Sequence, residues 1–265
     1  MTEALPIPAQ GRIGPWTCGR ISYGCWRFAG SSVPEARSKI EAAHANGITL
    51  IDTAAIYGYG EDGFGVAEER LGAVFADAPA LRRATILVTK AGIHPPLPYD
   101  SRAETLIQSC EASLRRLETD VIDIFLIHRP DYLAAPQEVA GALTRLRDAG
   151  KIREAGVSNH STHQMRALQA HLDFPLIATQ PEFSALHPDP LEDGTLDLAQ
   201  ALGMAVMAWS PLAGGLLVDT AQPRSGTPAA RVLPVMTEIA GNNGCGVDHV
   251  ALAGCASTQI GRAHV

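Results

Sequence analysis

Seven short apolar runs, each separated from the next by a longer stretch with helical spacing, narrow what this chain can fold into more than any other feature. The runs are Arg20 to Gly24, Ile48 to Asp52, Ile86 to Lys90, Ile122 to His128, Ala155 to Ser158, Ile177 to Gln180 and Ala205 to Trp209. Short apolar strands joined by crossover helices make parallel sheets. Helices are expected over Val33 to Asn46, Val66 to Phe75, Arg102 to Leu117, Pro136 to Ala149, His163 to Ala170, Leu196 to Leu202 and Val232 to Ala240. In the first of them Ser32 caps, Pro34 suits the opening turn and Asn46-Gly47 stops it. Pro223 to Pro228 reads as a loop after the seventh strand. Alternation alone fits an open doubly wound sheet as well as a barrel. A chain of 265 residues with no long linker matches one undivided (β/α)8 TIM barrel, an α/β fold in which seven strands are visible and the eighth is missing.

Composition removes several classes of function. A net charge of -7 offers no broad basic field for a phosphate backbone, so nucleic acid is not an expected partner. The longest apolar runs fall well short of the roughly 20 residues that a bilayer-crossing helix needs. Met1 to Pro6 has neither the basic start nor the apolar stretch of a secretory signal. A cytoplasmic protein is expected. Cys18, Cys25, Cys110, Cys245 and Cys255 are an odd set without C-x-x-C spacing, which suits reduced thiols, and no metal site is expected.

The strand ends carry the chemistry, because the loops that follow the strands of a parallel barrel converge over its mouth. In order they read Gly24-Cys25-Trp26, Asp52 with Tyr57 soon after, Lys90, His128, Ser158-Asn159, Gln180 and Trp209-Ser210. A phenol is a poor proton donor at neutral pH, and a neighbouring ammonium would bring its pKa down. On that reading Lys90 tunes Tyr57, Asp52 holds Lys90 charged, and His128 orients a substrate carbonyl while Tyr57 protonates its oxygen. Singly, each residue has a plainer reading: Asp caps turns, and a strand-end His bonds backbone. Lys90 is the most telling, since it closes an apolar run where a charge needs a partner. The string Gly58 to Gly63 satisfies G-x-G-x-x-G, but Asp52 to Tyr57 separate it from the strand, so a Rossmann site is not expected there.

Ile51-Asp52-Thr53-Ala54 with Tyr57-Gly58, then Val88-Thr89-Lys90, Asp123 to His128, Gly156-Val157-Ser158-Asn159, Gln180-Pro181-Glu182-Phe183 and Trp209 to Gly215 resemble the aldo-keto reductase family of bacterial type, in order, from about Ser22 to about Ala253. The resemblance implies a reductase of aldehyde or ketone carbonyls whose catalytic residues are Asp52, Tyr57, Lys90 and His128. It implies that Ser158, Asn159 and Gln180 bind the nicotinamide carboxamide, that Trp209 stacks on the ring, and that Ser210, Pro211, Leu212 and Gly214 run along the pyrophosphate. Gly24, Cys25 and Trp26 correspond to the first-strand segment near cofactor and substrate, with Asp52 beside it, and Trp26 and Phe28 suit an apolar substrate wall. NADPH is the implied cofactor. NADH stays open, because nothing after Ala253 matches the segment that grips the 2′-phosphate in relatives.

The carboxyl end departs from the pattern. Ile260 to Val265 is what ATC-GGA-AGA-GCA-CAC-GTC encodes, part of a common short-read sequencing adapter. One barrel domain truncated at residues 1–259, with a non-native tail at 260–265, is therefore expected. Two rival readings remain at this stage: a Schiff-base aldolase working through Lys90, and a cofactor-binding, redox-sensing regulatory barrel without turnover. Pro95 to Tyr99 and Arg129 to Tyr132 are expected to border the pocket. Substrate identity and oligomeric state are not written in the sequence.

Overall fold

The computed structural model describes residues 9–60 and 62–257, and the backbone of 261–264. Met1 to Pro6, Glu61 within the glycine string, and Ile260 and Val265 of the tail lie outside the described residues. A closed parallel barrel runs β3 (Ile21–Gly24), β4 (Leu50–Asp52), β5 (Ile86–Ala91), β6 (Ile122–Ile127), β7 (Ile152–Ser158), β8 (Ala178–Gln180) and β9 (Ala205–Ala208), completed by β10 (Gly261–His264) between β9 and β3. Each of the seven expected strands is present.

The eighth strand corrects the sequence reading, which left that place empty. Gly261 pairs with Val206 and Ala263 with Ala208 on one side, while Ala263 pairs with Ile21 on the other. Closure asks only for an extended backbone whose N–H and C=O groups meet those left open on β9 and β3. No hydrophobic pattern is needed for that, which is why the segment went unread.

A hairpin of β1 (Gln10–Ile13) and β2 (Trp16–Gly19) precedes the barrel and was not expected either. Its turn opens on Gly14 at φ 51°. Ile13 and Cys18 are buried against Leu50, Val88, Ile124, Leu126 and Met207, so the hairpin seals the end of the barrel where the strands begin. One buried side chain per strand is too faint a pattern to recognise in advance.

Helices α1 (Val33–Ala45), α2 (Val66–Asp77), α4 (Ala103–Arg116), α5 (Pro136–Asp148), α6 (Thr162–Gln169) and α7 (Thr195–Leu202) surround the strands as expected, and the short α3 (Pro79–Ala84) is added. Ser32 and Glu35 form a complete capping box at the start of α1. The segment before the last strand is more helical than the sequence suggests. Thr227 caps α8 (Pro228–Asn243), which begins inside the expected loop and runs through Pro234, and α9 (Val247–Ser257) follows. No helix of the described residues is long and apolar enough to cross a membrane.

Strand parity organises the interior. Every residue of β5 and β6 is buried, as parallel strands covered on both faces require. Leu50, Val88, Leu126, Ala178 and Met207 point into the barrel. Ile51, Leu87, Phe125 and Val206 point outward to the helices. On the outward face Thr89 donates to Glu68 of α2 at 2.5 Å, and Glu68, with no exposure, also takes a 2.7 Å bond from Arg116 at the end of α4. This carboxylate ties one strand to two helices. Replacing Glu68 with leucine strands the Arg116 charge and should cost about 3 kcal/mol, the low end for a broken buried pair because Arg116 keeps some contact with water. Urea denaturation would show it, and a loss below about 1 kcal/mol would mean the bridge contributes little.

Candidate functional site

Period-two alternation places the site. Two residues beyond the inward-facing Leu50, Val88, Leu126, Ala178 and Met207 come Asp52, Lys90, His128, Gln180 and Trp209, which therefore inherit the inward direction at the end of the barrel where the strands finish. Asp52 and Lys90, on neighbouring strands, are both completely buried.

The Lys90 ammonium donates to Asp52 Oδ2 at 2.6 Å, to the Tyr57 hydroxyl at 2.7 Å and to the Thr53 carbonyl at 2.9 Å. Its three donors are thus accounted for. Burial works against the charge, but Asp52 and Tyr57 together outweigh it and the Lys90 pKa is raised. The other carboxylate oxygen of Asp52 accepts from Gln180 Nε2 at 3.3 Å. Tyr57 reaches this group from the loop after β4, where Gly58 at φ 98° and Gly63 at φ 122° let the chain double back before α2. The glycine string is a turn that presents the phenol, and Val66 rather than its last glycine starts the helix.

One expectation is corrected. Lys90 was expected to bring the Tyr57 pKa down, yet burial pushes it up to about 12, with Lys90 opposing that rise and Asp52 adding to it. Lys90 acts in the expected direction, but the desolvation of the phenol outweighs it. His128 moves the other way: burial first and the Lys90 charge second lower it to about 3, leaving a neutral imidazole. Its ring meets the Tyr57 ring edge to face at 6.0 Å.

Above this group opens a cavity of about 780 Å³. Gly24, Trp26, Tyr57, His128, Ser158, Asn159, Gln180, Trp209, Ser210, Pro211, Leu212 and Gly214 are all in its wall. Asp52 and Lys90 are not, since they lie beneath Tyr57, and neither is Cys25, whose buried backbone N–H bonds the Asp52 carbonyl at 2.8 Å. Burial raises the Cys25 thiol pKa, so it stays protonated. Phe28 is also buried, edge-on to Tyr23. Trp26, by contrast, is 64% exposed and stands edge-on to the Tyr57 ring at 4.9 Å. Of the loops expected at the rim, Arg129 is in the wall, whereas Pro95 to Tyr99 are not. Pro130 to Tyr132 line a separate hollow of about 250 Å³ beside α5 and α6.

The far wall is a chain of polar contacts. Ser158 Oγ donates to the Gln180 carbonyl at 2.8 Å, Asn159 Nδ2 donates to Ser158 Oγ at 2.8 Å, and the Trp209 indole N–H donates to Asn159 Oδ1 at 2.9 Å. Asn159 and Ser210 hold φ of 57° and 52°, the left-handed region that non-glycine residues enter only when their surroundings impose it. A fixed indole face, adjacent amides, and open space beside Gly214 and Gly215 suit a planar amide-bearing ring with a phosphate tail. Reading strand ends missed Tyr23, Arg27 and Val218, also in the wall, and the Thr53 carbonyl that holds Lys90. Adjacency to Trp26 could have suggested Arg27, but a backbone acceptor leaves no trace in sequence.

Two part-buried imidazoles make the fold sensitive to acid. His160, bonded to the Ser158 carbonyl at 2.8 Å, is lowered by burial to about 4. Both His128 and His160 are held neutral, while a histidine of the unfolded chain titrates near about 6.5. Below that value the unfolded chain takes protons that the fold refuses. Stability is therefore fully present above about pH 6.5 and is lost as pH falls toward the folded values. The loss in unfolding free energy between about pH 7.5 and about pH 5 should shrink in His160→Gln. An equal loss in variant and parent would contradict this account.

Residues 20–257 match the profile of the Aldo/keto reductase family. The 6-dehydroglucose reductase of Novosphingobium aromaticivorans is 50% identical over 202 residues, 75% of this chain and 66% of that protein. That of Agrobacterium fabrum is 40% identical over 223 residues, 80% of this chain and 73% of that protein. Against the first of these, the chain spans a little under two thirds of the relative's length. Among solved structures, the glycerol dehydrogenase of Gluconobacter oxydans superposes with a TM-score of 0.84 at 28% identity, over 97% of this chain and 86% of that one.

Proposed function

The chain belongs to the aldo/keto reductase family, and we propose that it is an NADPH-dependent oxidoreductase that reduces the carbonyl of a small aldehyde or ketone to an alcohol, with Tyr57 as general acid. The observation that carries this reading is the buried Lys90 ammonium, clasped between Asp52 and the Tyr57 hydroxyl beneath the cavity. A reduced nicotinamide would supply the hydride. Ser158, Asn159 and Gln180 would hold its amide, Trp209 its ring, and Ser210 to Gly214 its phosphates. NADH is the other candidate for the same place.

A phenol with a pKa of about 12 keeps its proton throughout the neutral range. It is nevertheless a far stronger acid than an alcohol. Once the carbonyl oxygen becomes an alkoxide, proton transfer from Tyr57 is downhill. Lys90 then faces the phenolate across the bond it already makes, and Asp52 keeps Lys90 from surrendering its own proton. His128, neutral and beside Tyr57, directs the carbonyl oxygen without bringing in a competing charge. The same facts speak against the aldolase reading, because a Schiff-base lysine must present a free amine and Lys90 is charged with all three donors engaged.

The two relatives named 6-dehydroglucose reductase support a polyhydroxylated aldehyde as the substrate class. Trp26 offers an apolar face beside Tyr57, and Arg27 and Arg129 offer donors for hydroxyl groups. Fluorescence titration with NADPH and NADH, followed by turnover of an aldehyde panel, tests the proposal. Tyr57→Phe should lower kcat by about 10²- to 10⁴-fold while cofactor affinity changes little. Cofactor binding without turnover of any carbonyl would favour the regulatory reading, and no binding by folded protein would sink both.

A further inference from the structure

The main cavity has an uneven charge balance. Arg27 and Arg129 are in its wall, and among the described residues no aspartate or glutamate is. Among the described residues neither guanidinium is in an ion pair. Beneath the floor, Lys90 is neutralised by Asp52 at 2.6 Å. Arg27 is exposed and screened by salt. Arg129 is half-buried, and its guanidinium carbon sits 5.7 Å from the centroid of the Trp209 ring. Its field is already felt in the site: after burial, Lys90 and Arg129 both disfavour a proton on His128, with Asp52 opposing.

We propose that Arg129 makes this site bind the reduced form of the nicotinamide cofactor in preference to the oxidised form. The inference rests on the proposed function, in which the nicotinamide lies against Trp209. The two forms of the cofactor share every phosphate and sugar and differ in the ring, which is neutral when reduced and carries a positive charge when oxidised. The ratio of their affinities therefore isolates what the protein does to that one charge. An electron-rich indole on its own would favour the cation. Here a guanidinium already lies 5.7 Å from the centre of that ring, and repulsion between two full charges falls off more slowly with distance than attraction between a charge and a quadrupole. The repulsion wins. In a partly desolvated wall its effect is on the order of tenfold in affinity.

This bias has a place in the reaction. While a carbonyl is being reduced, negative charge gathers on its oxygen as positive charge gathers on the ring, so a cation beside both is roughly neutral to the chemical step. After Tyr57 has protonated the oxygen and the alcohol has left, the Arg129 charge would have no developing anion to offset its repulsion of an oxidised ring. The residue thus favours loading with reduced cofactor and release of spent cofactor.

Calorimetric titration with NADPH and NADP+ tests this without relying on turnover. The wild-type dissociation constant for NADP+ should exceed that for NADPH by about tenfold, the ratio should fall below about threefold in Arg129→Met, and Arg129→Lys, which keeps the charge, should restore most of it. If Arg129→Met does not fold, the wild-type ratio should shrink between about 0.05 and about 0.5 M salt. An unchanged ratio in a folded Arg129→Met, equal wild-type affinities, or a ratio indifferent to salt would overturn the inference while leaving the proposed function standing. Failure to bind either form would overturn both.

Discussion

A lysine ammonium with no access to water must be surrounded by acceptors, and much of this molecule can be understood as the means of surrounding Lys90. Asp52, Tyr57 and the Thr53 carbonyl take its three protons. Each reaches it by a different structural device: Asp52 through the register of β4 against β5, Thr53 through main chain leaving the strand, and Tyr57 through a glycine-lined turn. Uncompensated, such a charge would cost several kcal/mol. The arrangement is therefore a structural requirement and a chemical device at once, since the acceptor that faces the cavity is an ionisable phenol.

The barrel makes this compact arrangement possible. Each strand contributes one or two inward residues where it ends, and closure brings residues far apart in sequence, such as Asp52 and Gln180, to within 3.3 Å. The hairpin beneath and the helices around exclude water from the interior, which raises the pKa of Tyr57 and lowers that of His128. The two shifts are complementary. The phenol keeps a proton to give, and the imidazole stays neutral so that it does not compete.

Sequence reasoning found the seven strands because buried parallel strands are continuous apolar runs, and it found their polar ends because a charged or amide side chain closing such a run stands out. It missed β1, β2 and β10, whose pairing uses main-chain groups with little or no hydrophobic pattern. It also underrated the burial of Tyr57, since the extent of desolvation is a property of the whole barrel. Cys25 and Phe28, close to Trp26 in sequence, proved to point into packing while Trp26 faces the cavity.

The sequence by itself determined which segments are strands and that Asp52, Lys90, His128, Gln180 and Trp209 stand at or just beyond their ends, and hence the chemical character of the barrel mouth, because those follow from local periodicity. Only the tertiary structure decided that the barrel closes, that Lys90 serves three acceptors at once, and that Arg129, in no ion pair among the described residues, lies against Trp209. Distances between strands, burial and the balance of charge within a cavity are sums over distant parts of the chain, and no local pattern of residues contains them.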